Sequence, residues 1–427
     1  MNILMIMADQ MHKDAMGFKR DHVITPNIDR LAQKGVVFDN CYANSPVCGP
    51  YRGNLFTGMY TRDNGVWNNN DPLPHGVETL ADSFNRAGYE TSFVGKWHLG
   101  GAGNCPIPED LRGSFKHFIG YQCYNGFLKD VCFYNEDNEE IRYEGHRTDV
   151  TTDIGVERLR MLADKDKPFV HVVFYQAPHY PEQPSPCYEA MYAESPVFFP
   201  LNYQGVDPFT PTQSPYSPRP IENDPDFQKY GNDMAHYKRL YNAMVTQIDT
   251  GVGRLMATLE ELGIDDETVI LFSSDHGDMQ GSHGQLNKCL PYEESCGIPL
   301  IVNAPGAKAG TRIKTPVSCI DYYPTCLELA GLDQVSGKHG HSLAGLIEGK
   351  IDEEDHDYPV FSEILMSNHK HWVMVRDKRY KLVVTAKGHE PYLLFDLWED
   401  PVEMTNLVEL PAYKRVVENM LDLLNER

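Results

Sequence analysis

Apolar and polar positions along the first two-thirds of the chain predict strands that alternate with helices. Apolar runs predict buried strands at residues 2–8, 90–94, 169–175, 268–273 and 298–302. Helices are predicted at 25–35, 76–88, 148–164 and 233–262, the last from apolar residues that recur on one face. This alternation is typical of an α/β fold, in which a large and mainly parallel sheet is sandwiched by helices.

Two regions depart from this alternation. Residues 180–227 are rich in Pro, Tyr and Phe and show no periodicity, which indicates a lid or substrate-binding insertion, or a surface loop without a role. Beyond residue 350, short apolar runs at 358–364, 371–376, 379–385 and 391–397 precede a helical pattern at 412–424. We therefore predict a catalytic α/β domain at 1–350 and a smaller antiparallel sheet plus helix at 351–427.

The charge balance narrows the class of partner. The chain of 427 residues has a formal net charge of −23, from 61 acidic and 38 basic side chains, which argues against a nucleic-acid partner. A local cluster of cations can still bind a small anion. Neither a signal-peptide pattern nor a membrane-spanning apolar run is present, so we expect a cytoplasmic protein with reduced cysteines and no membrane partner.

Polar and ionisable side chains follow the predicted strands where each strand ends. They are Asp9, Gln10, Lys96, His98, His179, Asp275 and His276. Because ligands of open α/β sheets bind beyond the carboxyl ends of the strands, these residues predict a metal site with cations around it. Asp9 and Asp275 are the expected charged ligands, completed by Gln10 and His276. Oxygen ligands suit calcium or magnesium, whereas an imidazole favours a transition metal.

The segment at residues 45–58 carries a cysteine and an arginine one helical turn apart. Pro50 can open a helix near its first turn, which places Cys48 at the positive helix end. Arg52 then faces the same way as Cys48. This pair predicts a site for a tetrahedral anion. A buried cysteine beside a surface arginine is the alternative for so short a pattern.

Residues 48–52 resemble the signature of type I sulfatases, members of the alkaline phosphatase-like superfamily, in which Cys-x-Pro-Ser-Arg precedes a Thr-Gly pair. Tyr51 stands here at the serine position. Further blocks similar to that family occur in the same order at 95–98, 177–179, 274–277, 288–295 and 394–407. Gln10, His276 and Cys289 depart from the residues found in many members.

The resemblance implies a modified nucleophile and a metal. Cys48 would be oxidised to formylglycine by a formylglycine-generating or anaerobic sulfatase-maturating enzyme. One divalent ion would bind beside it, with Ca²⁺ expected and Mg²⁺ or Mn²⁺ as alternatives. A hydroxyl of the hydrated aldehyde would attack sulfur, because a sulfate ester needs an in-line oxygen nucleophile and surrounding cations.

The resemblance also assigns roles to the surrounding side chains. Arg52 would hold the diol and Lys96 would bridge it to the sulfate. His179 and Lys288 would stabilise or protonate the leaving alkoxide. His98 would take the proton from the second hydroxyl, so that sulfate is expelled.

The substrate is expected to be small and sulfated, and we favour a sugar because residues 180–227 could stack on a pyranose. Candidate substrate-binding residues are Asn69, Asp71, His75 and His283. One alternative is a phosphonate or phosphate monoester or diester hydrolase of the same superfamily. Another is a catalytically silent protein that binds sulfate esters and never has Cys48 oxidised.

Overall fold

The computed structural model describes residues 1–103, 106–123, 126–203, 225–365 and 372–427. The predicted insertion at 180–227 is therefore described only in part, because 204–224 lie outside the described residues. Its described part contains the helix Pro186–Tyr192 and the start of the helix Pro225–Gln228. A role for the insertion as a lid or substrate-binding segment stays a prediction.

A large sheet forms the centre of the molecule. Its strands are β1 (Asn2–Asp9), β2 (Val36–Tyr42), β3 (Glu90–Lys96), β4 (His117–Tyr121), β5 (Cys132–Tyr134), β6 (Glu140–Arg142), β7 (Phe169–Pro178), β8 (Thr268–Ser274), β9 (Gly297–Asn303), β10 (Thr311–Ile313) and β11 (Val317–Ser318). They lie in the order β10-β2-β9-β8-β1-β7-β3-β4-β5-β6, with β11 beside β2. The central run from β8 to β4 is parallel, whereas β9 runs antiparallel to β8 and β2.

Helices cover both faces of this sheet. They are α1 (Pro26–Lys34), α2 (Cys48–Thr57), α3 (Thr61–Asn64), α4 (Leu80–Arg86), α5 (Arg147–Ala163), α6 (Pro186–Tyr192), α7 (Pro225–Gln228), α8 (Met234–Leu262), α9 (Glu293–Cys296), α10 (Tyr322–Leu329), α11 (Ala344–Ile347) and α12 (Lys414–Asn425). The predicted α/β class is confirmed. No helix in the described ranges is long and apolar enough to cross a bilayer.

Strand β1 buries side chains on both of its faces, so the sheet needs helices on each side. Its alternate side chains enter two different cores: Ile3, Met5 and Met7 pack with α2, α4 and α10, and Leu4, Ile6 and Ala8 pack with α1, α5 and α8. A strand with two buried faces reads as a continuous apolar run, and residues 3–8 are such a run.

The C-terminal sheet has the predicted antiparallel form. Strands β12 (Val360–Ile364), β13 (Trp372–Arg376), β14 (Tyr380–Thr385) and β15 (Pro391–Asp396) lie in sequence order. Helix α12 packs on one face of this sheet. The other face packs against Tyr42 of β2 and against Tyr292. The Lys381 ammonium of β14 contacts Glu293 of α9 at 2.8 Å and Glu403 at 2.6 Å, and all three side chains are buried. The domain division at residue 350 stays a prediction.

Candidate active site

The ends of strands β1 and β8 bring two aspartates together. These strands are adjacent and parallel, with Ala8 opposite Ser274, so Asp9 and Asp275 leave the sheet at the same edge. One ligand atom from each of Asp9, Cys48, Asp275 and His276 lies within 4.8 Å of the others, and all four side chains are buried. The structure thus gathers residues from three distant parts of the chain into one cluster.

Helix α2 presents Cys48 to this cluster. Val47 has an extended backbone and Cys48 is the first helical residue, as the sequence predicts. The Sγ atom lies 3.2 Å from His276 Nε2 and 3.7 Å from Asp9 Oδ1. The backbone N–H of Gly49 donates to Asn69 Oδ1 at 2.8 Å, so Asn69 satisfies a free donor of the first turn.

Two cations neutralise the aspartates. Arg52 Nη2 lies 3.1 Å from Asp9 Oδ2 and 3.3 Å from Asp275 Oδ2, and Lys96 Nζ lies 2.5 Å from Asp9 Oδ2. Lys96 Nζ is also 3.9 Å from Cys48 Sγ. Because all these side chains are fully buried, their interactions are only weakly screened by solvent.

The backbone around Lys96 and Arg52 fixes the position of both cations. Arg52 lies over the ring of Phe174 at 3.6 Å and donates to the carbonyl of Lys96. Gly95 has a φ of +112°, and a Cβ there would lie 2.1 Å from the carbonyl oxygen of Phe174. Only glycine allows β3 to approach β7 this closely just before Lys96.

A chain of hydrogen bonds links four side chains beside the cluster: those of Lys288, Gln10, Asp278 and Tyr237. Lys288 Nζ donates to Gln10 Oε1 at 2.6 Å and to His179 Nε2 at 2.9 Å. Gln10 Nε2 donates to Asp278 Oδ2 at 2.9 Å, and Tyr237 donates to the same oxygen at 2.6 Å. The Gln10 amide therefore joins Asp278 to Lys288.

The three histidines of the site differ in their partners. His276 Nδ1 lies 3.0 Å from the carbonyl of Gly277, and His179 Nδ1 lies 2.8 Å from that of Tyr180. Each N–H donated there leaves Nε2 unprotonated: at His179 this nitrogen accepts from Lys288 at 2.9 Å, and at His276 it suits a metal ligand. His98 Nδ1 has no hydrogen-bond partner in the described part of the chain, and its φ of 59° turns the residue out of the strand direction.

Burial and charge together set the ionisation of the cluster. Burial alone would raise the pKa of Asp9, but Lys96, His179 and Arg52 outweigh it and hold that pKa well below its usual value. Burial and then Asp9 raise the pKa of the Cys48 thiol to about 11. Burial, Lys96 and Arg52 lower the pKa of His98 well below its usual range.

The donor set fits a divalent cation. Asp9 and Asp275 supply carboxylate oxygens and His276 supplies an imidazole nitrogen, all converging on one point beside Cys48. A buried pair of carboxylates needs positive charge, and a metal ion adds to what Arg52 and Lys96 supply. This mixed set is compatible with calcium, magnesium or manganese.

The four candidate substrate residues occupy different places. Asn69 caps α2, and Asp71 Oδ2 accepts from the backbone of Trp67 at 2.9 Å. The side chain of His75 is 70% exposed and faces Asp110. His283 is buried, stacked on Tyr292 with a ring separation of 4.0 Å. Contact of these four with substrate stays a prediction.

Asp278 is the residue that sequence reasoning passed over. It lies three positions after Asp275 in the run Ser-Ser-Asp-His-Gly-Asp, but it follows no strand directly. Between them, Gly277 lies so close to Glu294 that a Cβ would be 2.0 Å from its carbonyl oxygen. The sequence could have indicated Asp278, because it is a second acidic residue just after Gly277. Its hydrogen bond to Gln10, however, forms only in the folded chain.

Known proteins resemble this chain over its whole length. Residues 1–332 match the family described as "Sulfatase", and residues 281–427 match "N-sulphoglucosamine sulphohydrolase, C-terminal". The ulvan-active sulfatase of Formosa agariphila is 30% identical, over 99% of this chain and 79% of its own.

Solved structures agree with the sequence comparison. One, bound to its substrate D-glucosamine-2-N,6-O-disulfate, has a TM-score of 0.84 and 25% identity, covering 100% of this chain and 97% of its own. A phosphonate monoester hydrolase from Silicibacter pomeroyi has a TM-score of 0.82 and 25% identity, with coverages of 100% and 94%.

Proposed function

Because this chain belongs to the sulfatase family, we propose that it releases inorganic sulfate from a small sulfated sugar, using a formylglycine made from Cys48. The observation that carries this proposal is the convergence of Asp9, Asp275 and His276 on the side chain at position 48. Modification of Cys48 requires a formylglycine-generating or anaerobic sulfatase-maturating enzyme as a partner. Hydration of the aldehyde supplies two hydroxyls, one to attack sulfur and one to release the product.

Asp9, Asp275 and His276 would hold the metal, with Ca²⁺ the expected ion. When bound, a divalent cation lowers the pKa of a coordinated hydroxyl and neutralises charge on a sulfate oxygen. The carboxylates of Asp9 and Asp275 would hold the metal ion at one edge of the sheet. The lone pair on His276 Nε2 completes the set from the following turn.

Arg52 and Lys96 stabilise negative charge around position 48. Lys96 Nζ, 3.9 Å from Cys48 Sγ, is near enough to bind both the diol and a sulfate oxygen. Arg52 stays fixed between Asp9 and Asp275 and so orients the aspartates and the diol together. Such preorganised charges lower a reaction barrier without a cost of rearrangement.

His179, Lys288 and His98 handle the protons of the reaction. Lys288 donates to His179 Nε2 at 2.9 Å, so this pair can deliver a proton to the leaving alkoxide. His98 lies in the loop just after Lys96, and its Nδ1 atom has no protein partner among the described residues. Burial keeps His98 neutral, as a base for the second hydroxyl must be.

Gln10 has a supporting role beside its predicted role as a metal ligand. Its amide oxygen accepts from Lys288 at 2.6 Å, and its amide nitrogen is held by Asp278 at 2.9 Å. We infer that Gln10 orients the Lys288 ammonium toward the leaving group. A carboxylate at this position would instead pair with Lys288 and repel Asp278.

Two kinds of observation support a sugar as substrate. The ulvan-active sulfatase and the protein bound to a disulfated glucosamine are both similar to this chain over most of its length. The described part of the insertion exposes Phe198, Phe199 and Tyr203, whose rings can stack on a pyranose.

Sulfate release from a panel of sulfated mono- and disaccharides tests the proposal. We expect turnover of at least one hexosamine sulfate, and loss of that turnover in Cys48→Ala. Release from choline sulfate or an aryl sulfate, with none from any sugar, would show that the substrate class is wrong. Mass spectrometry of the peptide containing Cys48 serves as the control for modification.

A phosphonate ester hydrolase is the second candidate, because a phosphonate monoester hydrolase shares this fold at a TM-score of 0.82. Comparison of kcat/KM for 4-nitrophenyl sulfate and a phenyl phosphonate ester separates the two activities. A higher value for the phosphonate would favour this candidate.

A Cys48 peptide that carries only free thiol in the native host would instead favour the catalytically silent binding protein.

A further inference from the structure

A second group of buried metal-ligand side chains lies outside the cluster around Cys48. One ligand atom from each of His283, Glu294 and Glu403 lies within 4.8 Å of the others, and all three side chains are buried. His283 comes from the loop that follows β8, Glu294 from helix α9 and Glu403 from the segment after β15. Three parts of the chain thus converge here, and the proposed mechanism uses none of these side chains.

The side chain of Asn202 contacts this group and shows that acceptors outnumber donors there. Its Nδ2 atom lies 3.2 Å from His283 Nε2, 2.7 Å from Glu294 Oε1 and 3.1 Å from the carbonyl oxygen of Val402. An amide nitrogen carries only two hydrogens, so three acceptors compete for them. A place lined by more acceptors than donors is one that a cation can occupy.

Two buried oxygens at this place have no hydrogen-bond donor. Asn202 Oδ1 and Glu294 Oε2 have no partner among the described residues, although the two residues are only 0% and 8% exposed. Buried acceptors without a donor are costly. Rotating the Asn202 amide by half a turn exchanges Oδ1 and Nδ2, and an oxygen beside so many acceptors is stable only if a cation lies between them. A metal ion would accept lone pairs from both oxygens.

The adjacent lysines do not neutralise Glu294. Lys13 lies 2.5 Å from Glu293, and Lys381 is shared between Glu293 at 2.8 Å and Glu403 at 2.6 Å. Glu294 forms no salt bridge with the described residues, and its side-chain donor is the neutral amide of the asparagine. A divalent ion would supply the missing positive charge to this carboxylate.

A pocket of about 470 Å³ gives access to this group. Glu294 lines the pocket together with Ser282 and Val402, the chain neighbours of the other two ligands. Lys238 also lines it, but its ammonium donates to Gln280 at 3.3 Å and acts on Glu294 only at longer range. An ion can therefore reach the Glu294 carboxylate without unfolding of the chain.

We propose that His283, Glu294 and Glu403 bind a second divalent ion, of which Zn²⁺ is the expected one. Asn202 Oδ1 is the fourth ligand, after rotation of its amide. An imidazole nitrogen with two carboxylates favours a transition ion over Ca²⁺, which prefers oxygen ligands. Tetrahedral Zn²⁺ with bonds of about 2.0–2.2 Å separates its ligand atoms by about 3.3–3.6 Å. From the 4.8 Å limit seen here, the side chains need to close by about 1.5 Å at most.

The ion would join segments that lie beside the active site. Asn202 belongs to the described part of the insertion, and its backbone carbonyl accepts from the N–H of His283 at 2.7 Å. The backbone of Glu294 lies against Gly277 in the loop after β8. Glu403 adds the C-terminal part of the chain. We therefore assign the ion a role in stability, which goes beyond the proposed function and does not depend on it.

The test measures Zn²⁺ binding to the full chain after removal of metals by a chelator, with excess Ca²⁺ present. In Asp275→Asn, which weakens the catalytic metal site, we expect one bound Zn²⁺ per chain by mass spectrometry. Adding Glu294→Gln or His283→Gln should weaken this binding at least tenfold. Adding Glu418→Gln, a glutamate that is 60% exposed on α12, should leave it within twofold. X-ray absorption at the zinc edge should show one imidazole ligand, which is lost with His283→Gln.

Unchanged affinity with Glu294→Gln and His283→Gln would overturn the inference, as would a loss of equal size with Glu418→Gln. Tighter binding of Ca²⁺ than of Zn²⁺ at this site would refute the choice of ion. If Glu294→Gln does not fold, Asn202→Ala decides, with at least threefold weaker binding expected and unchanged binding as the refuting result. Because metal content is measured without turnover, absence of sulfate release from every sulfated sugar refutes the proposed function and leaves this result standing.

Discussion

Replacement of Lys96 by methionine separates a role in catalysis from a role in metal binding. Methionine keeps the length of the buried side chain but removes the ammonium that contacts Asp9 and faces Cys48. If Lys96 binds the sulfate in the transition state, its loss lowers kcat/KM. If Lys96 serves only to neutralise Asp9, the variant gains an affinity for the metal and keeps its activity.

The expected loss follows from the geometry. Two unit charges at the 3.9 Å between Lys96 Nζ and Cys48 Sγ attract by about 4 kcal/mol at an effective dielectric constant of about 20. A sulfate spreads its charge over three oxygens, so Lys96 contributes about 2–4 kcal/mol, or about 30-fold to 1,000-fold in rate. Metal content should not fall, because the lost ammonium repels the metal.

The assay measures kcat/KM on a sulfated monosaccharide, metal per chain by mass spectrometry, and the formylglycine fraction at position 48. Activity is expressed per modified, metal-loaded chain. Lys414→Met is the matched control, since that lysine is 80% exposed on helix α12. A Lys96→Met enzyme within threefold of wild type, or one whose activity falls only in proportion to its metal content, would refute the reasoning.

Three further predictions concern stability and the metal. Lys381→Met should lower the free energy of unfolding by about 3–5 kcal/mol, because Glu293 and Glu403 stay buried without that cation; urea unfolding within 1 kcal/mol of Lys414→Met would contradict this. Burial lowers the pKa of His171 from 6.5 to about 4, so the unfolded chain takes up the proton first and stability is lost as pH falls below 6.5. Between pH 7 and pH 5 this shift lowers the free energy of unfolding by about 2 kcal/mol. His171→Gln should therefore lose less stability than the wild type over this pH range, as measured by urea unfolding. An equal slope of unfolding free energy against pH in the two proteins would refute the assignment. Removal of divalent ions by a chelator should abolish sulfate release and lower the melting temperature, because Asp9 and Asp275 then repel each other; comparing recovery with Ca²⁺, Mg²⁺ and Mn²⁺ identifies the ion, and full activity without metal would exclude the proposed mechanism.

Local pattern predicted most of the elements that carry the site. The helix predicted at 233–262 is α8 at Met234–Leu262, because a long apolar stripe between Asp233 and Gly263 encodes both the face and the ends. Strands β4, β5 and β6 were not predicted, since short strands have too few residues to show a period. The antiparallel direction of β9 was likewise out of reach, because strand direction depends on how the chain returns to the sheet.

The sequence by itself determined which residues stand at the ends of strands and at the start of α2, and their order identifies the family. These are properties of neighbouring residues, so local periodicity and motif spacing encode them. Only the tertiary structure decided that the Gln10 amide links Asp278 to Lys288, and that His283 lies stacked on Tyr292. The direction and partners of a side chain depend on residues hundreds of positions away, which spacing along the chain cannot specify.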